Sequence, residues 1–291
     1  MCDTRSITIQ EAVENLERLF EGDLLTYIMT QGLIEPNDAM YLNSLLAMAS
    51  PRWPGSDGKK FKKIILVLHS SGGILETAIK LVGIIRTYAE QFEVIVPLAA
   101  KSAATIISLK ADKLYMTPVS ELGPVDPMVQ SPSNPHLRVQ AHVIEQFINH
   151  YGSQLQHAPS TCLDEILKEK MQNAMDPYLL GAYKAVQEFA ENELCECFNR
   201  YNFTPEQLER LKDLFLKKKS HAYPILYNHI QSFGVGVMVT ALDKLQAINM
   251  LMGIFNNYMG TQNIVKVIGN RDLNHNAMLP SEQARQNCTK A

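Results

Sequence analysis

Ile64-Ile65-Leu66-Val67-Leu68-His69-Ser70-Ser71-Gly72-Gly73-Ile74 is the stretch that decides the fold. Its first half is wholly apolar and largely β-branched, with lysines before it and glycines after. That reads as a strand buried on both faces of a parallel sheet. Such a strand needs helices for cover, and one follows at once. Ile74, Ala78, Leu81, Val82 and Ile85 recur at three- and four-residue spacing, with Glu76, Lys80 and Arg86 on other faces. Adjacent glycines between strand and helix let the backbone approach a ligand closely and leave N–H groups unpaired at the helix start, an anion or oxyanion cradle.

Moving outward, the pattern repeats. Glu93 to Leu98 is a second apolar strand, Ala99-Ala100 a small-residue turn, and Ser102-Ala103-Ala104-Thr105-Ile106-Ile107 the start of a second helix. Consecutive parallel strands usually lie side by side with right-handed crossovers, so the two turns should open on one edge of the sheet. Gly72 and Gly73 would then face the Ser102 hydroxyl. A hydroxyl beside free N–H donors is the minimal apparatus of acyl transfer, the donors stabilising the oxyanion of a tetrahedral intermediate.

Four motifs in order carry a resemblance: His69-Ser-Ser-Gly-Gly, Ala100-Lys101-Ser102-Ala103-Ala104, Ala111-Asp112-Lys113-Leu114-Tyr115-Met116 and Ser120-Glu121-Leu122-Gly123-Pro124-Val125-Asp126-Pro127. This set resembles the serine dehydrogenase proteinase family, related to signal peptide peptidase A and the Clp protease subunit. A weaker likeness continues through Asp176-Pro177, Leu180-Gly181, His221 to Ile225 and Phe233-Gly234-Val235. The resemblance implies an α/β fold, a Clp/crotonase-like spiral of ββα units with a helical C-terminal arm. It implies a serine peptidase acting through an acyl-enzyme on Ser102, with the amides of Gly72 or Gly73 and Ala103 holding the oxyanion. A polypeptide substrate and self-association come with it. The expected division is a catalytic domain over 1–240, including the arm at about 176–220, and a C-terminal extension over 241–291.

The general base is less legible. By resemblance, Clp subunits carry a histidine where this chain has Asp126, and an exposed carboxylate titrating near 4 is too weak a base for serine. Lys101, adjacent to Ser102, should point elsewhere. His69 reads as a turn histidine bonded to backbone. Lys184 falls where signal peptide peptidase A resemblance would place a lysine base, provided burial keeps it neutral. His221 needs no large pKa shift to serve. Lys184 and His221 are therefore the candidate bases.

Composition narrows the rest. A chain of 291 residues, 46% hydrophobic, can bury a full core. Its net charge of −3 and pI of about 6.2 give no field that favours nucleic acid or an anionic membrane. Five irregularly spaced cysteines fit a reducing cytoplasm better than a disulfide framework. Cys195 and Cys197 point to different faces of a helix and have no second ligand pair, so no metal is expected, nor is a nucleotide cofactor. The N-terminal residues do not read as a signal peptide, and Val94 to Leu109 is too short and too interrupted to span a bilayer.

Elsewhere, Thr8 with Glu11 marks a helix start running to Phe20, Leu24 to Met29 a strand, Asn37 to Met48 a helix and Lys113 to Met116 a third strand. Ser50 to Lys60, with Trp53, is a breaker-rich loop, and Gln130 to His136 a mobile one. Helices are expected over Val139 to Tyr151, Ser160 to Met175, Tyr178 to Phe198, Pro205 to Lys217 and Leu242 to Met259, with a polar tail from Ser281. Two rival functions remain. One is a catalytically silent oligomeric scaffold; the other is a crotonase-type acyl-CoA enzyme, against which stand Ser102 and the lack of a basic CoA-binding cluster.

Overall fold

The apolar run at Ile64 becomes β2 (Phe61–His69), and its neighbours are those that short crossovers dictate. β1 (Asp23–Met29) and β3 (Ala89–Val96) flank it in parallel, and β5 (Lys113–Met116) pairs parallel with β3. The computed structural model describes residues 7–49, 61–130, 138–157, 177–216, 220, 222–262, 264–270 and 277–280. These fall into two units, a first of 1–123 with 224–291 and a second of 124–223. The Ser50–Lys60 loop with Trp53, most of the Gln130–His136 loop, the expected helix at Ser160, His221 and the tail from Ser281 lie outside the described residues.

The first unit is built on a seven-stranded sheet in the order β10-β5-β3-β2-β1-β11-β12. Here β10 is Val237–Met238, β11 Ile264–Gly269 and β12 Ala277–Pro280. Alternate residues of the central strands serve opposite faces. Ile65, Val67, Ile95, Leu24 and Ile28 pack with α1 (Ile9–Phe20) and with the long C-terminal helix Leu242–Gln262. Ile64, Leu66 and Leu68 point the other way and are equally buried. On α1 the expected capping box is present, the Thr8 side chain accepting from the Glu11 N–H and Glu11 from the Thr8 N–H. α2 (Pro36–Ala49) and α3 (Leu75–Tyr88) pack together. At the end of α3, Arg86 grips Asp112 through both nitrogens while Asp112 accepts the Phe92 N–H at 2.8 Å. Asp112 thus has a structural task, tying α3 to β3.

The second apolar strand does not run unbroken to Leu98. Pro97 has no N–H to give the ladder, so the chain leaves the main sheet after Val96 and pairs again as β4 (Ala99–Ala100) in a small sheet with β6 (Glu121–Leu122) and β9 (Ile225–Leu226). The freed Pro97 carbonyl is met by the Thr117 hydroxyl at 3.1 Å, and the Ser120 hydroxyl donates to Val96. A long strand in one sheet, a short one in a second, then a helix is the expected ββα unit.

The C-terminal segment is no appendage. β11 pairs antiparallel with β1, and the helix from Leu242 buries Ala247, Ile248, Leu251, Met252, Phe255 and Met259 against α1 and the sheet. The expected boundary at residue 240 therefore does not coincide with the division of the structure. The arm expected over 176–220 instead belongs to the second unit.

That second unit contains the hairpin β7 (Met128–Gln130) and β8 (Arg138–Gln140), followed by α5 (Ala141–His157) and α6 (Pro177–Phe198); α4 (Ala103–Leu109), the helix after Ser102, belongs to the first unit. α7 (Pro205–Phe215) starts on a second capping box, Thr204 with Gln207, with Pro205 in the first helical position. Phe198, Tyr201, Phe203 and Phe215 form its aromatic cluster.

Two outcomes follow. Phe255→Ala should destabilise the fold by about 3–5 kcal/mol, read as a lower urea midpoint at unchanged slope. The His69 ring donates from Nδ1 to the Ala99 carbonyl at 3.2 Å, and burial pushes its pKa below the ordinary histidine value. The unfolded chain then takes up this proton before the native one does. The stability that a neutral His69 contributes is present above about pH 6.5 and is lost as pH falls through its native pKa. His69→Gln should flatten that part of a stability profile measured by urea melts from pH 7.5 to 5.

Candidate active site

Two turns meet in the first unit. β2 ends at His69, and the backbone continues pairing beyond the sheet: the Ser70 N–H donates to the Ala99 carbonyl at 3.0 Å, and the Lys101 N–H to the Ser70 carbonyl at 3.0 Å. This parallel bridge between Ser70 and Ala100 carries the glycine turn and the serine turn into contact. Gly72 has φ +103, and a Cβ built on it would stand 2.7 Å from the Ser102 Cβ and 2.6 Å from the Lys101 carbonyl oxygen. No side chain fits there, which is the physical reason for glycine. Gly73 has φ +152, and its Cβ would fall 2.2 Å from the Ile34 nitrogen.

Ser102 stands at the mouth of α4 (Ala103–Leu109), with φ 52 and ψ −120. That lies outside the regions an L-residue with a Cβ occupies at ease, and a backbone held so costs about 1–3 kcal/mol. What holds it is packing: Ala103, Ala104, Ile106 and Ile107 are buried, and the buried Thr105 hydroxyl reaches the Ala100 and Gly123 carbonyls at 2.9 and 2.8 Å. Ser102 itself is 7% exposed, and its hydroxyl has no hydrogen-bond partner among the described residues.

The neighbouring donors differ in state. The Gly72 N–H already donates to the Ser70 hydroxyl at 3.1 Å. The Gly73 and Ala103 N–H groups have no acceptor among the described residues. The structure therefore gathers Ser102, Gly72, Gly73 and Ala103 as the motifs suggested, and it leaves Gly73 and Ala103 as the available donors.

The candidate bases fare differently. The Lys101 ammonium is committed to Glu121 at 2.7 Å. Lys184 projects from α6 with its side chain 77% exposed, 3.9 Å from Glu188 one turn on. It lacks the burial that a neutral lysine needs, which corrects the expectation placed on it. His221 lies outside the described residues.

Asp126 corrects another expectation. It is buried, not exposed, and in the second unit it accepts the His142 N–H at 3.0 Å and the His142 Nδ1–H through its other oxygen. With Nδ1 committed to a carboxylate, Nε2 is the ring atom left to exchange a proton. Sequence reading missed His142. The pair is separated by sixteen positions and by the residues between β7 and β8, so spacing gave no hint, although an aspartate ahead of a helix start could have prompted a search for its partner. A cavity of about 280 Å³ adjoins the pair, lined also by Glu145, Gln187, Glu191 and Lys212. Nearby, burial, with Glu145 and Asp126 adding, pushes the Tyr183 pKa up to about 12. Among the described residues no cluster could hold a metal ion, and no helix is long and apolar enough to cross a membrane.

Comparison with known proteins places these features. Over 179 residues the chain is 26% identical to an uncharacterized protein of Methanocaldococcus jannaschii, a match covering 61% of this chain and 54% of the relative, so the chain spans about half of that protein's length. A solved structure of a ClpP1 mutant from Listeria monocytogenes aligns over 79% of this chain and 98% of its own, at 15% identity and a TM-score of 0.40. Residues 57–146, which hold β2, both glycines, Ser102, Asp126 and His142, match the ClpP-like SDH-type serine proteinases. That stretch, about a third of the chain, is what this protein shares with the family.

Proposed function

We propose that the protein is a serine peptidase that cleaves polypeptides through an acyl-enzyme on Ser102. The observation that carries this reading is the strained Ser102 backbone at a helix mouth, packed against a glycine that admits no side chain, with two N–H groups beside it still to be satisfied. Strain of this kind persists where the surroundings over-determine it, and it clusters at reacting centres. Ser102 Oγ would attack the peptide carbonyl carbon, and its proton would pass to a base. The oxyanion would rest on the Gly73 and Ala103 N–H groups, a contribution worth roughly 10²–10³ in rate per donor. Collapse would expel the amine, which takes up the proton, and water would then release the acyl group from Ser102. Gly72, with its N–H bonded to Ser70, serves by lying flat against the serine.

Self-association and a polypeptide substrate are drawn from the likeness of residues 57–146 to that family, and both belong to this proposal. The base is decided by mutation. His69 and His142 each have Nδ1 committed to an acceptor and Nε2 available, and His221 stays a candidate on its sequence alone.

A fluorophosphonate probe tests the reading. Wild type should take up one adduct, located on Ser102 by mass spectrometry, and Ser102→Ala none. A folded wild type that takes up no adduct would overturn the peptidase in favour of a binding scaffold. Loss of about 10²–10⁴ in labelling rate in one of His69→Ala, His142→Ala or His221→Ala identifies the base, whereas Lys184→Ala should label at the wild-type rate. Ser102→Gly should be unreactive yet more stable by about 1 kcal/mol in urea melts, because glycine adopts this backbone without strain.

A further inference from the structure

We infer that the buried ion pair Lys266–Asp38 positions the oxyanion cradle, an inference that rests on the reading of Ser102 as a nucleophile. Lys266 lies on β11 and is 3% exposed; Asp38, in the first turn of α2, is fully buried. The ammonium donates to both Asp38 oxygens at 3.0 Å and to the Leu33 carbonyl at 2.7 Å. Asp38 also accepts the Glu35 N–H at 2.8 Å and the Tyr27 hydroxyl at 2.5 Å. Beside this carboxylate, burial, with Asp38 adding, holds the Tyr27 hydroxyl firmly protonated, so it remains a donor.

The two ions thus grip the residues on either side of Ile34. Ile34 in turn is the clasp on the glycine turn: its N–H donates to the Gly72 carbonyl at 2.8 Å, and its carbonyl accepts the Ile74 N–H at 3.0 Å. Between those bonds sits Gly73, so close to Ile34 that no Cβ fits. The peptide plane that contains the Gly73 N–H is the one whose carbonyl belongs to Gly72. Fixing the Gly72 carbonyl on Ile34 therefore fixes the direction of the Gly73 donor. A buried ion pair is weak evidence for stability, since an apolar pair of similar volume often serves as well. What an apolar pair could not do is hold the Leu33 carbonyl and the Glu35 N–H. Lys266 and Asp38 are positioning residues: they act through Ile34 and touch no substrate.

The test compares Lys266→Met with Asp38→Asn, a neutral pair of near-equal shape, against Lys266→Gln with Asp38→Asn, which keeps a donor for the Leu33 carbonyl. Folding is checked by thermal melts, amide exchange is followed at Ile34 and Ile74, and fluorophosphonate labelling of Ser102 is resolved into maximal rate and half-saturating concentration. For the methionine pair we expect exchange at both amides at least ten-fold faster and a maximal labelling rate at least ten-fold lower, with half-saturation unchanged. The glutamine pair should recover to within about three-fold of wild type. Wild-type exchange and labelling in the methionine pair would overturn the inference, as would faster exchange with unchanged labelling. If the methionine pair does not fold, Lys266→Gln alone should label several-fold more slowly, and an unaltered rate overturns the positioning role. A wild type that is not labelled overturns the proposed peptidase itself, and the exchange at Ile34 and Ile74 then judges the clasp alone.

Discussion

The parallel pairing of β2 with β3 does not stop where the sheet stops, and the first unit is arranged around that fact. The Ser70–Ala100 bridge resumes the pairing past His69 and Pro97 with two extra residues taken up on the β3 side, Val67 facing Ile95 and Ser70 facing Ala100. Because strand register moves in whole residues, the extension leaves no freedom in which backbone atoms of the two following turns meet. Gly72 arrives against Lys101 and Ser102 at a separation that only hydrogen can occupy on the glycine side. The same bridge sets the helix mouth. α4 begins with Ala103 immediately after the contact, and its buried apolar residues anchor it from below. The serine's unfavourable dihedrals are thus the residue of two satisfied requirements, strand register and helix burial, neither of which can relax without losing far more than the few kcal/mol of strain.

That logic explains why this part of the fold was legible. A β-branched run, a glycine pair and a small-residue helix start each state a local preference, and here the local preferences agree with the tertiary arrangement. Ile64 to Leu68 could only be a doubly covered strand, and the glycine pair could only be a place of close approach. Pro97 shows the limit of the same method. The apolar pattern runs on through Leu98, but hydrogen bonding does not, and a reading by hydropathy alone carried the strand two residues too far and took for a turn the Ala99–Ala100 pair that is a strand of the second sheet.

What stayed hidden was long-range and polar. Lys266 and Asp38 are 228 positions apart, and either alone reads as an ordinary surface residue. Their burial becomes intelligible only once β11 is seen to pair with β1. His142 and Asp126 present the same difficulty across a shorter gap: the aspartate was judged from its own ionisation in water, whereas its environment supplies two donors. The C-terminal helix was legible locally, from the apolar run Leu242 to Met259, but its partner was not: Met252 and Met259 are core residues on a helix that packs with α1 and the sheet.

A further consequence concerns how the first unit distributes rigidity. The Ser102 side of the candidate site is held by apolar burial, which is non-directional. The donors' side is a glycine turn, which buries no side chain and so cannot be held in that way. Directional bonds are the remaining means, and the turn receives them from Ile34, whose own neighbours are fixed by the buried ions. An unsupported glycine pair would sample φ of either sign at little cost. Removing the polar anchor should then leave a molecule whose core is intact while the donors lose their direction. It follows that global stability and the geometry of the cradle are separable quantities here, because different classes of interaction maintain them.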